Sequence, residues 1–488
     1  MKAKLFSLSA IHILVLAPGL FIFIEGCKKF IDVPPPKNSL NADNVFESDI
    51  TAAAVMTQQY VEIQMAILKD GDLTGLSLYP GLSADELVMF DAAQDLYQYY
   101  YYGTLTSIVH DGNQFWNRIY RHIAVANTIL EGLEKSIALT PAVKERLAGE
   151  AKFLRAFCYF ALVNLYGGVP LVLTTDYKAN AVLPRSDTAM VYQQILKDLS
   201  EAAELLPDTY AAGDIKTDNQ SNERVRPNKW AAKAMLARVY LYDKNYGSAE
   251  QLSTEVIEQN TLYKLTSLDS VFLRSSVEAI WQMQPVYSES ANTMDGGWFI
   301  LPPGGPDGGH PVYLNNNLVN AFEDGDARAE HWMNYVTLSG NRYHYPFKYK
   351  LGFEQAELKE YTMVLRLAEQ YLIRAEARMH LNNISGAVGD VNVIRARARG
   401  SNPGDLPDIP ANVTATEFAN VLAHERRVEL FTEWGHRWFD LKRTGRAADI
   451  LAPLKGATWQ STDELYPIPQ YEINKNPALA GGQNPGYN

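Results

Sequence analysis

The chain has 488 residues, a formal net charge of −12 and two cysteines, Cys27 and Cys158. Its acidity opposes nucleic acid and anionic lipid surfaces as partners and favours neutral ligands. Tyrosine is the outlying residue, 28 beside 18 phenylalanines and 8 tryptophans. Rings with a polar edge are therefore in excess, the kind that stack on an apolar face while still hydrogen bonding.

At the N-terminus, Lys2 and Lys4 precede an almost uncharged apolar stretch, Leu5 to Ile24, that runs into Glu25-Gly26-Cys27-Lys28-Lys29. A basic start, an apolar centre and a small residue before cysteine predict a lipoprotein signal peptide over residues 1–26, with Cys27 as the lipidated mature N-terminus. The stretch is long enough to span a bilayer uncleaved, but Pro18-Gly19 in its middle and the cysteine at its end argue against that. Pro34-Pro35-Pro36 then reads as a spacer, so residues 27–40 form a tether and 41–488 one body. With Cys27 lipidated, Cys158 has no disulfide partner; in Phe157-Cys158-Tyr159-Phe160 it predicts a small buried hydrophobe.

Asp95-Leu96-Tyr97-Gln98-Tyr99-Tyr100-Tyr101-Tyr102 places five tyrosines in six positions. Whether strand, loop or helix end, these rings cannot all face one core. Phe115, Ile119, Ile123, Ala126, Ile129-Leu130 and Leu133 recur at helical spacing over Gln114 to Leu133. Further helices are predicted from about Ala142 to Tyr166, begun by Pro141 and stopped by Gly167-Gly168, and from Asp187 to Leu206.

The segments Pro227 to Tyr242 and Tyr246 to Glu258 predict a helical hairpin with small residues at Ala231, Ala234, Ala237 and Ala249. A similar hairpin recurs over Met363 to Arg399. Matching Ala237-Arg238, Leu241 and Ala249 to Ala377-Arg378, Leu381 and Ala387 makes its turn two residues shorter. Such units resemble tetratricopeptide repeats, irregularly spaced. Between them, about 262–361 is rich in Gly, Pro, Asn and aromatics, with strand candidates at Ala279 to Met283 and Arg342 to Tyr349. Such a loop-built region either meets a ligand or merely caps the scaffold. The predicted fold is mainly α: tetratricopeptide-like hairpins carrying a loop-rich, minor-β ligand-binding region.

Several segments, in order, resemble the SusD/RagB family of outer-membrane lipoproteins of Bacteroidetes. They are Cys27-Lys28-Lys29-Phe30-Ile31-Asp32-Val33-Pro34-Pro35; Glu150 to Phe160 with Leu165-Tyr166-Gly167-Gly168-Val169-Pro170; Tyr371 to Ala377; Glu425-Arg426-Arg427-Val428-Glu429-Leu430 leading to His436 to Arg443; and Leu465-Tyr466-Pro467-Ile468-Pro469 with the terminal Gln483 to Tyr487. Trp434, inserted between Glu433 and Gly435, and Glu25 in the lipidation box depart from the family pattern. The resemblance implies a non-catalytic, surface-exposed outer-membrane protein that hands oligosaccharide to a SusC-like TonB-dependent transporter. It also implies a shallow aromatic glycan surface built from the N-terminal loop region and from later loops. Matched by position and chemistry, Asp85, Asp95, Tyr97, Tyr99, Tyr101, Trp298 and Phe299 are the expected contacts. Packing of the tyrosines under a loop is the alternative.

Peptide uptake is the rival within the family, and a helical glycoside hydrolase using two of Asp85, Glu86, Asp91 and Asp95 is the enzymatic one. No Gly-x-Ser-x-Gly elbow, phosphate loop, His-Glu-x-x-His or Cys-x-x-Cys occurs, and no cofactor or metal is expected. His424 and His436 are twelve residues apart, which is no helical ligand pair. The charges of Glu425 to Glu429 are expected to pair with Arg437, Asp440 and Arg443 between helices. Arg155, Arg374 and Glu376 are expected to bond one another or helix ends.

Overall fold

The computed structural model describes residues 44–66, 68–90, 95–108, 114–219, 223–286, 292–353 and 357–487. The predicted signal peptide, Cys27 and tether lie outside these residues. Phe46–Asn488 forms one compact unit. Among the described residues no helix is long and apolar enough to cross a membrane.

The unit is mostly helical. In chain order its main elements are α1 (Asp49–Met65), α2 (Tyr79–Ser83), β1 (Leu87–Met89), α3 (Asp95–Tyr102), α4 (Gln114–Lys135), α5 (Pro141–Tyr166), α6 (Thr188–Leu205), α7 (Lys229–Tyr242) and α8 (Tyr246–Ile257). The loop-rich region holds β2 (Ala279–Met283), α9 (Met294–Phe299), β3 (Val312–Leu314), β4 (Met333–Leu338), β5 (Asn341–Pro346) and β6 (Thr362–Arg366). The C-terminal third adds α10 (Leu367–His380), α11 (Ile384–Ala398), α12 (Ala415–Leu430), α13 (His436–Arg443) and α14 (Ala447–Lys455).

Local chemistry explains most boundaries. Pro141 begins α5, where a missing N–H costs nothing, and Gly167 ends it at φ +74, a left-handed value that suits glycine. Asp187 caps α6 through Met190 N–H, and Thr414 and Glu417 close a reciprocal capping box on α12. Cys158 is fully buried in α5, as a small hydrophobe there should be.

The two hairpins α7–α8 and α10–α11 have identical turns. Lys244 and Asn382 both take a left-handed φ, +60 and +63, and Asn245 and Asn383 then cap the second helices. Asn245 N–H donates to Tyr240 O and Asn383 N–H to Arg378 O; Lys244 donates to Leu241 O and Asn382 to Met379 O. This register matches Ala237 with Ala375, both fully buried. The second turn is therefore not the shorter one that the match of Ala237-Arg238 to Ala377-Arg378 predicts: the Ala-Arg pair recurs two residues out of register with the capping asparagine. Met363 also leaves the hairpin for β6, which pairs antiparallel with β2. A helix interface of Leu372, Ala375, Ala387, Val391, Phe418 and Leu422 joins α10, α11 and α12.

Among the described residues the strands form three two-stranded antiparallel pieces, β1–β3, β2–β6 and β4–β5. Strand β2 matches its predicted span, and β5 shifts the second candidate to Asn341–Pro346. The inserted Trp434 is accommodated by a tight loop in which Thr432, Trp434 and Gly435 are all left-handed, at φ 52, 48 and 74. A Cβ on Gly435 would come within 3.1 Å of Pro80. Left-handed non-glycine residues cost about 1 kcal/mol or more each. Burial of the indole, whose N–H donates to Met363 O at 2.6 Å and whose ring meets Phe157 edge-on, offsets this.

Candidate functional site

The tyrosine run folds as helix α3, and its spacing sorts the rings. Tyr97 and Tyr100, three residues apart, turn inward: Tyr97 stacks on Tyr79 with centroids 6.1 Å apart, and Tyr100 lies 4.4 Å from Tyr79 and 5.2 Å from Tyr466. Burial pushes the Tyr97 phenol up to about 12. Tyr99 and Tyr101 are half-buried, and Tyr102 is 40% exposed. Lys455 of α14 holds the end of this helix. Its ammonium donates to the carbonyls of Leu82 and Tyr101 and sits 5.1 Å from the Tyr101 ring centroid. Burial lowers the Lys455 ammonium to about 7.

Two strand pairs bring further rings to the same place. In β1–β3, Val88 pairs with Tyr313, and Phe90 N–H extends the ladder to Pro311 O at 2.7 Å. Leu314 and Val312 are buried on one side of β3, so alternation turns Tyr313 to the other. In β4–β5 the same rule puts Tyr343 on the face opposite Arg342 and His344. Tyr343 meets Tyr313 edge-on at 5.1 Å and Phe90 edge-on at 5.7 Å. Burial first, then the neighbouring Tyr101 and Tyr343 phenols, raises the Tyr313 phenol above its ordinary range. Helix α3 packs against β1, the partner of β3, and so brings Tyr101 beside Tyr313. Phe90, Tyr101, Tyr102, Tyr313 and Tyr343 form a half-open aromatic face, with Phe90 38% exposed. Rings fixed at right angles to one another offer a ligand both flat faces and phenol hydroxyls.

Four of the expected contact residues lie elsewhere. Asp85 is buried, accepting from Arg437 at 2.6 Å and from Arg427 at 2.7 Å. Trp298 and Phe299 belong to α9 and are buried, with Lys69 5.9 Å from the Trp298 ring centroid. Tyr97 is buried as described. None of these four side chains is open to a surface ligand, and the reason is common to them: residue type suits both core and binding face, and only packing decides. The Asp95 side chain and Asp91 lie outside the described residues. Tyr99 and Tyr101 remain candidates. Phe90, Tyr102, Tyr313 and Tyr343 were not among the expected contacts, although Val312-Tyr313-Leu314, an aromatic between two aliphatics, already signals an outward ring.

Glu86, next to Asp85, is also buried. It accepts from Thr432 N–H, and burial followed by the Asp85 charge pushes its carboxyl up to about 8. Among the described residues no group of three or more His, Cys, Asp and Glu is placed to hold a metal ion. His424 faces Glu323 and His436 is buried beside Glu369.

The charged motif of α12 forms an internal ionic core. Arg328 binds Glu425 and Glu429, and Arg366 binds Glu278, Glu429 and Glu433. Burial pushes Glu429 up, but Arg397, Arg366 and Arg328 outweigh it and hold its carboxyl well below the usual range. Of the pairings expected between this motif and Arg437, Asp440 and Arg443, only Arg426–Asp440 forms among the described residues; Glu425 and Glu429 are taken by arginines from other elements and Arg427 by Asp85. Arg155, Arg374 and Glu376 do not meet one another: they pair with Asp198, Asp390 and Arg443.

A scaffold of helical hairpins bearing a loop-built aromatic face defines a binding protein of mixed helix and minor sheet. Two family models cover most of it: one described as starch-binding associating with outer membrane over residues 29–241, and the SusD family over residues 315–487. The chain belongs to the SusD/RagB family. SusD-like protein P38 of Formosa agariphila is 24% identical, the match covering 93% of this chain and 95% of that protein. A SusD superfamily protein of Bacteroides thetaiotaomicron shares the fold with a TM-score of 0.74 at 22% identity, over 90% of this chain and all of that one. A laminarin-binding SusD-like protein has a TM-score of 0.69 at 25% identity, over 90% of this chain and 98% of its own.

Proposed function

We propose that this protein is a non-catalytic glycan-binding lipoprotein of the outer membrane, and that the face of Phe90, Tyr101, Tyr102, Tyr313 and Tyr343 is where the oligosaccharide lies. The five-ring cluster is the observation that carries the reading. Its rings are held by two strand ladders and by Lys455, so little freedom is lost when a sugar ring stacks on them. Sugar hydroxyls exchange water for protein partners at small net gain, which keeps binding weak and release easy. The laminarin-binding relative supports a neutral glucan as a first ligand to try.

In this reading residues 1–26 are removed, lipid on Cys27 fixes the protein to the membrane, residues 27–40 act as a tether and 41–488 as the binding body. The body delivers the captured glycan to a SusC-like TonB-dependent transporter. Burial of Asp85 and Glu86 supports binding without hydrolysis, because a glycosidic bond cannot reach either carboxyl.

Affinity electrophoresis of the mature protein in gels containing laminarin, starch or other neutral glucans tests the proposal. Retardation by at least one glucan, lost in Tyr343→Ala with no release of reducing sugar, is the expected result. Peptide binding with no retardation by any glucan would overturn it.

A further inference from the structure

A cavity of about 450 Å³ lies among α7, α10, α12 and α13, lined by none of the five aromatic rings. That volume lies in the range of small-molecule pockets. Its apolar wall includes Leu241, Met379 and Leu422, and Tyr246 stacked on His380 at 4.0 Å closes one side. In a chain of net charge −12, this lining is basic: Lys244, Arg426, Arg437, Arg443 and Arg446 stand against Glu376 and Asp440, with Arg437 paired to Asp85.

The two carboxylates are already used. Arg443 binds Glu376 at 2.5 Å, and Arg426 binds Asp440 through Nε and Nη2 at 2.7 and 3.1 Å. Arg426 is 3% exposed, and its Nη1 has no hydrogen-bond partner among the described residues; nor has the hydroxyl of Tyr242, 8% exposed, on the same wall. Arg446 donates to the amide oxygen of Asn420 at 3.2 Å, a neutral partner on the same wall. A buried guanidinium N–H without an acceptor is costly, and a carboxylate oxygen is the acceptor that pairs with it most strongly.

We propose that this cavity binds a small monoanionic carboxylate with an apolar body, independently of the aromatic face. The carboxylate approaches between Arg426, Arg446 and Lys244, and its body rests on Leu241, Met379 and the Tyr246–His380 stack. A single charge fits better than a phosphate dianion, because Glu376 and Asp440 in the same wall repel a second negative charge. The carboxylate can come from an acidic sugar or from a peptide terminus, and the test separates the two.

Calorimetric titration of the mature protein with glucuronosyl-glucose and with N-acetyl-dileucine, each beside its neutral counterpart (cellobiose and N-acetyl-dileucine amide), distinguishes the sources. One or both acids should bind at least tenfold more tightly than the neutral partner, with affinity falling as salt rises. The preference should disappear in the surface double variant Lys244→Asn/Arg446→Gln. Asparagine tolerates the left-handed φ of Lys244, as Asn382 does in the matching turn. Ala419→Trp, which fills the cavity from the partly exposed side of α12, should abolish binding while the melting temperature and glucan retardation persist. Equal affinity for acid and neutral forms, unchanged binding in Ala419→Trp, or no binding of either acid at about 10 mM would overturn the proposal. Glucan retardation reports the aromatic face separately, so failure of one reading leaves the other standing.

Discussion

The aromatic face and the basic cavity use opposite physics on one scaffold. The face is open and uncharged, made of rings contributed by α3, the β1–β3 ladder and β5, and a ligand lying on it would stay largely in water. The cavity is walled by helices whose turns are built alike, and its lining is charged, with buried donors in excess of acceptors. An open face gains little per contact and tolerates many ligands; an enclosed charged site gains more and discriminates by charge. Asp85 stands between them. It precedes β1, which leads directly into Phe90, and it neutralises Arg437, which lines the cavity.

Breaking that link should have the largest effect. Asp85→Ala leaves the half-buried Arg427 and Arg437 without their carboxylate, and the loss in unfolding free energy should be about 3 kcal/mol. Denaturant unfolding measures it, and both binding activities should weaken together. A small change in stability would show that the two regions are not joined through this residue.

Glu86, the neighbour of Asp85, gives a pH test. Its folded carboxyl is pushed from 4.5 to about 8, so between those values the folded state holds a proton that the unfolded state has released. Stability from this group therefore falls as pH rises through that window. Glu86→Gln should flatten the decline and be more stable than the parent at pH 9, relative to pH 5, by on the order of 2–4 kcal/mol. Thermal melts of both proteins across that range check it.

Two ring substitutions then sharpen the comparison. Tyr343→Ala removes the ring that touches both Tyr313 and Phe90, and should weaken glucan binding by about 1–2 kcal/mol while leaving carboxylate binding unchanged. Tyr102→Ala, at the exposed end of α3, should cost less than about 0.5 kcal/mol in stability and reduce glucan affinity only a few-fold. Calorimetry with both ligand classes would show whether either change crosses from one site to the other.

Much of the scaffold was legible in the residues themselves. Pro141 and Gly167 bound α5, Asp187 starts α6, and periodic alanines and leucines define the hairpins, because helix ends and faces are set within a few residues of chain. The turn register was legible too, in Asn245 and Asn383, although the Ala-Arg pair distracted from it. The tyrosine run announced that some rings must be exposed, without saying which. Only the helical twist of α3 sent Tyr97 and Tyr100 inward and left Tyr102 out.

What tertiary structure alone decided is the membership of each site. Phe90 and Tyr343 are more than 250 residues apart and meet because β1 pairs with β3 and β3 packs beside β5. Asp85 looked like a ligand contact until Arg427 and Arg437, contributed from the far C-terminal helices, enclosed it. Trp298 and Phe299 looked like binding aromatics until α9 turned them into the core. The sequence by itself determined periodicity, caps and family, which depend on neighbours along the chain. Exposure depends on what distant segments cover, and that is settled only when they pack.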